Sequence, residues 1–271
     1  MHRKTHLKIG KATVPRSAIC TWNENTIVVR GADLAQDLIG QINFGDYFFL
    51  LLTGRGADAA TSAVLNATLV AIAEHGLVPS VQAARMTLAA APDAMQGAVA
   101  AGILGSGSVI LGASETAGRL YVEIDQEAAK HNGDLKAAAR AIVAERRASK
   151  LPIAGYGHPE HEARDPRVDA LFNVSLKAGG GQRFVEIAKA VEAVIPEIVG
   201  KELKLNVSGA IPAVLLGVGF PVNALKGVPM LARTASLIAH LNEELSDPIG
   251  FALSYQATRD QQYTGDMPVP K

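Results

Sequence analysis

Leu151-Pro152-Ile153-Ala154-Gly155-Tyr156-Gly157-His158, followed by Asp165-Pro166-Arg167, is the least ordinary stretch of this 271-residue sequence. Two glycines flank Tyr156, which frees the backbone to approach a ligand closely and delivers His158 from a loop rather than from a core face. A loop histidine with a guanidinium nine positions on suits anionic substrates. The imidazole gives or takes a proton near neutral pH, and Arg167 can grip a carboxylate bidentately. His158 and His161 are three apart, a spacing that also permits a metal. Zinc sites want a third ligand, however, and the other histidines offer no matching pair, so no metal is expected.

Outward from this loop the pattern is helical on both sides. Leu135 to Ala148 precedes it and Arg183 to Val199 follows; Ala94 to Leu104, Ser114 to Lys130 and Val228 to Leu245 carry the same spacing. Asp58-Ala59-Ala60-Thr61 can cap a helix running to about Glu74, and Pro79-Ser80 restarts another that ends near Pro92-Asp93. Strands are expected only near the start, where Ala18 to Trp22 and Thr26 to Arg30 flank Asn23-Glu24-Asn25 as a hairpin with a three-residue loop. Glycine and proline place loops at Gly105 to Gly107, Lys150 to Pro166, Ala178 to Gly181 and Gly217 to Val222. Small residues such as Ala98, Ala100, Ala101 and Gly102 allow helices to approach closely. The fold class is therefore all-α with a short N-terminal β-hairpin.

Hydrophobic residues make up 48% of the chain and charged ones 19%, enough for a substantial core. Lys plus Arg and Asp plus Glu are equal at 26 each, so no net field recruits nucleic acid or an anionic membrane, and a small-molecule site is the better expectation. Cys20 is the only cysteine; it can form no internal disulfide, and a reducing cytoplasm fits. The first sixteen residues carry Arg3, Lys4, Lys8, Lys11 and Arg16 without an acid, but lack the apolar core of a secretory signal and read as a solvated arm. The apolar run Leu69 to Ala73 is far too short to cross a bilayer. Gly105-Ser106-Gly107 does not follow a strand, which argues against a dinucleotide loop. Gly179-Gly180-Gly181 lacks the lysine and hydroxyl of a nucleotide loop and reads as a hinge.

Two further windows set polar groups among apolar ones. In Glu74-His75-Gly76-Leu77-Val78-Pro79-Ser80, continuing to Arg85, His75 closes one helix before the next begins; taken alone it simply caps carbonyls. The other is Asn206-Val207-Ser208-Gly209, with Arg233 and His240 beyond it, seven apart and so on one helix face. Spacing leaves open whether Arg233 lines a site or is a solvated charge opposite a buried Leu231, Leu237 and Ile238.

Taken in order, these windows resemble the citrate synthase superfamily, especially its short members of the citryl-CoA lyase type and the C-terminal lyase module of ATP-citrate lyase. The likeness covers nearly the whole chain. It runs from Thr26-Ile27-Val28-Val29-Arg30-Gly31-Ala32-Asp33-Leu34 through Phe44-Gly45-Asp46-Tyr47-Phe48-Phe49-Leu50-Leu51-Leu52-Thr53-Gly54 to His75-Gly76 with Pro79-Ser80. It continues with Gly155-Tyr156-Gly157-His158 and Asp165-Pro166-Arg167, then Asn206-Val207, then Arg233 with His240.

The resemblance implies a citrate synthase-like fold: a large helical domain from residues 1–111 and 219–271, a small helical domain from 112–218, and closure of the cleft between them over an acyl-CoA. It implies a homodimer or higher homo-oligomer, a CoA thioester as substrate or product, and no covalently bound cofactor. By the same carry-over His75, His158, Arg167 and Arg233 hold the carboxylates and the hydroxyl or carbonyl of a citrate-like group. The backbone of Leu151, Pro152, Ile153, Ala154, Gly155, Tyr156 and Gly157 lies along the CoA adenine.

Three departures shape the expected chemistry. Leu111, in Val109-Ile110-Leu111-Gly112, stands where synthases have a histidine on the thioester enolate; Ser208 stands where the family has its proton-transferring aspartate; and Leu245-Ser246-Asp247-Pro248 offers no partner-subunit arginine. A positioned acid or base contributes ~10²–10⁴ in rate, so another group must take over at Ser208, with His158 the first candidate and Glu115 and Glu162 behind it. The expected reaction is cleavage of a citryl-CoA-type thioester to acetyl-CoA and oxaloacetate. The alternatives are condensation in the synthase direction and a catalytically impaired acyl-CoA-binding paralogue.

Overall fold

The computed structural model describes residues 15–107, 111–157 and 165–267, which fall into two compact units, one within Met1–Gly56 and one within Ala57–Lys271. In the first unit, β1 (Cys20–Trp22), β2 (Ile27–Val29) and β3 (Ala32–Asp33) form an antiparallel sheet in that order. Trp22 pairs with Ile27, so the first turn holds four residues rather than three; Asn23 sets it, its Oδ1 accepting the amides of Asn25 and Thr26. Val29 pairs with Ala32 across Arg30 and Gly31, both left-handed at φ 51° and 90°. That is the backbone of a tight two-residue hairpin turn, and it adds a third strand that the reading ending at Arg30 does not contain. One π-type turn (Leu34–Leu38) and α1 (Phe44–Thr53) follow, capped by Asp33 and Asn43. Val29, Leu38 and Leu50 form the core of this unit.

The second unit is helical: α2 (Ala59–Ala73), α3 (Pro79–Ala90), α4 (Met95–Leu104), α5 (Ala113–Ala128), α6 (Leu135–Ala148), α7 (Pro166–Lys177), α8 (Arg183–Val199), α9 (Val207–Gly217), α10 (Gly227–Ser246) and α11 (Gly250–Arg259). Asp58 starts α2 by accepting the Thr61 amide at 2.7 Å, as its position before Ala59 predicts. The helices over 135–148 and 183–199 have the expected bounds. Helices α1, α7, α9 and α11 are not among those the sequence reading placed. Helix α9 is apolar all round, with Ile211 to Leu215 buried and Pro212 inside it, so no amphipathic stripe marks it.

Helices α3, α4 and α10 pack around Val81, Ala84, Leu88, Ala98, Leu237 and Leu241. A Cβ on Gly102 would lie 2.7 Å from Leu237 Cδ1, so this close helix crossing depends on the missing side chain. Helices α5, α6, α8 and α9 pack together around side chains such as Leu120, Ile187, Val191 and Ile211. Helix α2 packs against α10, α7 and α9 alike. The end of α10 is tied to α3 by a buried ion pair, Arg85 Nε to Glu244 Oε2 at 2.6 Å. The Glu244 carboxylate also accepts the Ile249 and Gly250 amides, which starts α11 without a capping side chain of its own. No helix among the described residues is long and apolar enough to cross a membrane.

Candidate functional site

The first group of candidate side chains sits where the end of α2 meets α10. Arg233, Ser236 and His240 follow one another at i, i+3 and i+7 along α10 and so share a face. Arg233 is only 3% exposed, which removes the solvated-charge alternative; of the three residues that alternative buries, Leu237 is buried, Leu231 half-buried and Ile238 47% exposed. Nε and Nη1 of Arg233 are buried and meet no hydrogen-bond acceptor among the described residues. Burial pulls the pKa of this guanidinium down, and the negative charge of Glu74 pulls it partly back.

Glu74 is the C-terminal cap of α2 and the hub of the group. Its Oε1 accepts the backbone amides of His75 and Gly76; its Oε2 accepts the Ser236 hydroxyl and lies 3.0 Å from His240 Nε2. Partial burial would raise the Glu74 pKa, but the bonds from Ser236, His240 and Gly76 outweigh it and hold the carboxyl at about 2. His75, a substrate-binding candidate, is exposed and has its backbone fixed by this carboxylate. Sequence reasoning missed Glu74 and Ser236. The available signals were the acid beside His75 and the i+3 step from Arg233.

The second group joins the starts of α7 and α9. Asp165 caps α7 by accepting the Arg167 amide, and its carboxylate also binds the Arg167 guanidinium through Nε at 3.0 Å and Nη2 at 2.9 Å. Asp165 Oδ2 accepts the buried Val207 amide as well, at 3.1 Å. Burial pushes the Asp165 carboxyl up, but Arg167 and the Val207 amide more than offset this and hold it below the usual range. Arg167 therefore has a protein carboxylate on one edge. Asn206 caps α9 by accepting the Ser208 amide at 2.9 Å, which places half-buried Ser208 in the first turn.

The third group is the loop that opened the sequence reading. Gly155 O accepts the Asn206 amide, Gly157 N–H donates to Lys204 O, and Asn206 Nδ2 donates to Gly157 O. Tyr156 pairs with Leu205 as an isolated bridge. The close approach that the glycines permit is thus, in part, to the chain's own backbone: a Cβ on Gly155 would stand 2.7 Å from Gly209 Cα. The Tyr156 side chain points inward, its hydroxyl donating to Ala188 O at 2.9 Å and standing 2.9 Å from the Tyr121 hydroxyl. Since the Tyr156 proton is committed to Ala188, Tyr121 is the donor of that second bond. Leu151 and Pro152 are exposed, Ile153 and Ala154 half-buried.

His158, His161, Glu162, Val109 and Ile110 lie outside the described residues. Leu111 is described and has φ 64°, a left-handed conformation that disfavours a non-glycine residue by roughly 1–2 kcal/mol. Glu115 is engaged by Arg119 at 2.7 Å. Helix α2 carries Glu74 and packs on α7, α9 and α10, so one helix touches the elements that hold Arg167, Ser208 and Arg233. Chemically, the groups offer an open buried cation at Arg233 and a second guanidinium at Arg167 paired along one edge, a set suited to binding carboxylates.

Residues 40–250 match the family described as citrate synthase, C-terminal domain. A citrate synthase of Synechocystis sp. is 28% identical over 212 residues, covering 76% of this chain and 51% of that protein. The structure of citryl-CoA lyase from Hydrogenobacter thermophilus superposes with a TM-score of 0.83 at 31% identity, covering 96% of this chain and 98% of that one. An ATP citrate lyase from Methanothrix soehngenii, solved with citrate and coenzyme A, gives a TM-score of 0.76 at 21% identity over 96% of this chain and 43% of that one, a likeness of fold. The chain spans about half the length of the curated relatives it matches.

Proposed function

This chain belongs to the citrate synthase family, and from that premise we propose that it cleaves a 3-hydroxyacyl-CoA of the citryl-CoA type to acetyl-CoA and an oxo acid such as oxaloacetate. The observation that carries the reading is the buried guanidinium of Arg233, whose Nε and Nη1 meet no acceptor among the described residues. A desolvated cation with open donors is a costly thing to keep unless an anion comes to it. The similarity in length and fold to a citryl-CoA lyase supports the cleavage direction.

In the proposed reaction a base takes the proton of the C3 hydroxyl, and the bond between C3 and the thioester α-carbon breaks. Oxaloacetate leaves with a new carbonyl, and the acetyl-CoA enolate is protonated at carbon. His158 is the proposed base or hydroxyl ligand, His75 orients the oxo group, and Arg233 and Arg167 hold carboxylates. Asp165 leaves Arg167 a weaker clamp than Arg233. Ser208 occupies the place of the family's aspartate, and its hydroxyl can donate to a developing oxyanion but cannot serve as a carboxylate base. The segment 151–157 lies along the CoA adenine in this reading. The division into residues 1–111 with 219–271 and residues 112–218, the homo-oligomer and the cytoplasmic location belong to the same proposal.

Incubation with citryl-CoA tests it: acetyl-CoA and oxaloacetate should appear in equal amounts, and their absence at high enzyme concentration would remove the lyase reading. The similarity to a citrate synthase keeps condensation as a second reading. Thiol release from acetyl-CoA with oxaloacetate, but no cleavage of citryl-CoA, would favour it. Silence in both assays together with retained oxaloacetate binding would indicate a binding paralogue impaired at Ser208.

A further inference from the structure

Among the described residues Glu74 is the one carboxylate whose field is seen at Arg233, and yet it makes no hydrogen bond to it. The reason is visible in its bonding. Two oxygens of an ionised carboxylate offer about four lone-pair sites. Four donors meet them here: the His75 and Gly76 amides on Oε1, and the Ser236 hydroxyl and the His240 ring on Oε2. Ser236 and His240 come from the same face of α10 as Arg233, one and two helical turns further along. Without them a flexible glutamate beside a buried guanidinium would close a bidentate ion pair, since that is the strongest bond available to either group.

We propose that Glu74 is a tethered counter-ion: Ser236 and His240 hold its carboxylate close enough to compensate the buried Arg233 charge but away from the Arg233 donors, which stay open for the carboxylate of a ligand. This rests on the reading of Arg233 as a carboxylate site and adds a positioning role for three residues that no part of that reading assigns. Loss of the tether lets Glu74 occupy Arg233 as an internal competitor, and the apparent dissociation constant for the ligand then rises by the inverse of the fraction still open.

The test is calorimetric titration of oxaloacetate into the full chain and three variants. Ser236→Ala/His240→Leu should bind about tenfold more weakly, as a site that is roughly nine-tenths self-occupied must. Ser236→Ala alone should lie between that double variant and the wild type. Adding Glu74→Gln to the double variant removes the competing charge and should bring the constant back to within about threefold of wild type, well under the 1.4 kcal/mol that a tenfold change represents. A merely structural role cannot give that recovery, because the triple variant has lost more native bonds than the double. Unchanged affinity in the double variant, or weakened affinity that Glu74→Gln does not recover, overturns the tether while wild-type binding leaves the Arg233 reading intact. Absence of oxaloacetate binding in the wild type removes both.

Discussion

The Arg167 guanidinium donates to both oxygens of Asp165, Nε to Oδ1 at 3.0 Å and Nη2 to Oδ2 at 2.9 Å, and the same Oδ2 accepts the Val207 amide. One buried carboxylate thus starts α7, orients an arginine proposed to bind substrate, and ties α7 to the first turn of α9 beside Ser208. Asp165→Asn leaves Arg167 without its counter-charge and is expected to destabilise the fold by about 2–4 kcal/mol, measured by urea denaturation near neutral pH. Because the folded pKa lies below the ordinary 3.8, this stabilisation is complete above 3.8 and is lost as pH falls through the depressed value. The difference between wild type and variant should therefore shrink on acidification.

Glu74 predicts a second acid-sensitive term. Its carboxyl is held at about 2 against 4.5 when free, so its contribution to stability is whole above 4.5 and disappears as pH falls toward 2. Half of the side chain is exposed, and solvent screening makes the term modest. Glu74→Gln should flatten the stability curve in that window; urea midpoints across the acid range provide the check.

The two buried tyrosines should not be equivalent. Tyr121→Phe removes one hydrogen bond and leaves Tyr156 still donating to Ala188 O, a loss of about 1 kcal/mol. Tyr156→Phe strands the buried Tyr121 hydroxyl and also takes from the Ala188 carbonyl its second donor, so it should be the larger loss, about 2–3 kcal/mol. Chemical denaturation of the pair reads the order, and an equal or inverted order would contradict the bond directions assigned to them.

Gly155→Ala tests the loop itself. The position has φ 92°, and the added Cβ would meet the Gly209 backbone at 2.7 Å, so two rigid segments must separate. The strain of the backbone alone is of order 1–3 kcal/mol before the clash is counted. The expected result is a lower thermal midpoint together with weaker CoA binding, since Gly155 belongs to the segment proposed to lie along the adenine.

Much of this was legible in the sequence, and for identifiable reasons. Asp58 and Pro79 announced α2 and α3 because capping and the proline N1 position are local chemistry. The β3 strand was not legible because Arg30-Gly31 is an unusual pair for a turn that needs two left-handed residues. Helix α9 was missed because uniform burial erases periodicity. Arg233 and His240 could be placed on one face by counting, but the burial of Arg233 depends on how α10 is rotated against α2, α3 and α4, which no local pattern fixes. Glu74 joined them only through contacts spanning 162 positions to Ser236 and 166 to His240.

In the proposed reading the open, desolvated guanidinium of Arg233 destabilises the empty protein and is kept for a ligand. Oxaloacetate titration into wild type and Arg233→Met, with the thermal midpoints of both recorded in the same samples, measures this directly. The variant should melt higher when empty, by about 1–4 kcal/mol of stability, while its affinity falls at least tenfold, about the value of one charge-assisted bond. A variant that melts lower and binds oxaloacetate as well as wild type would contradict it.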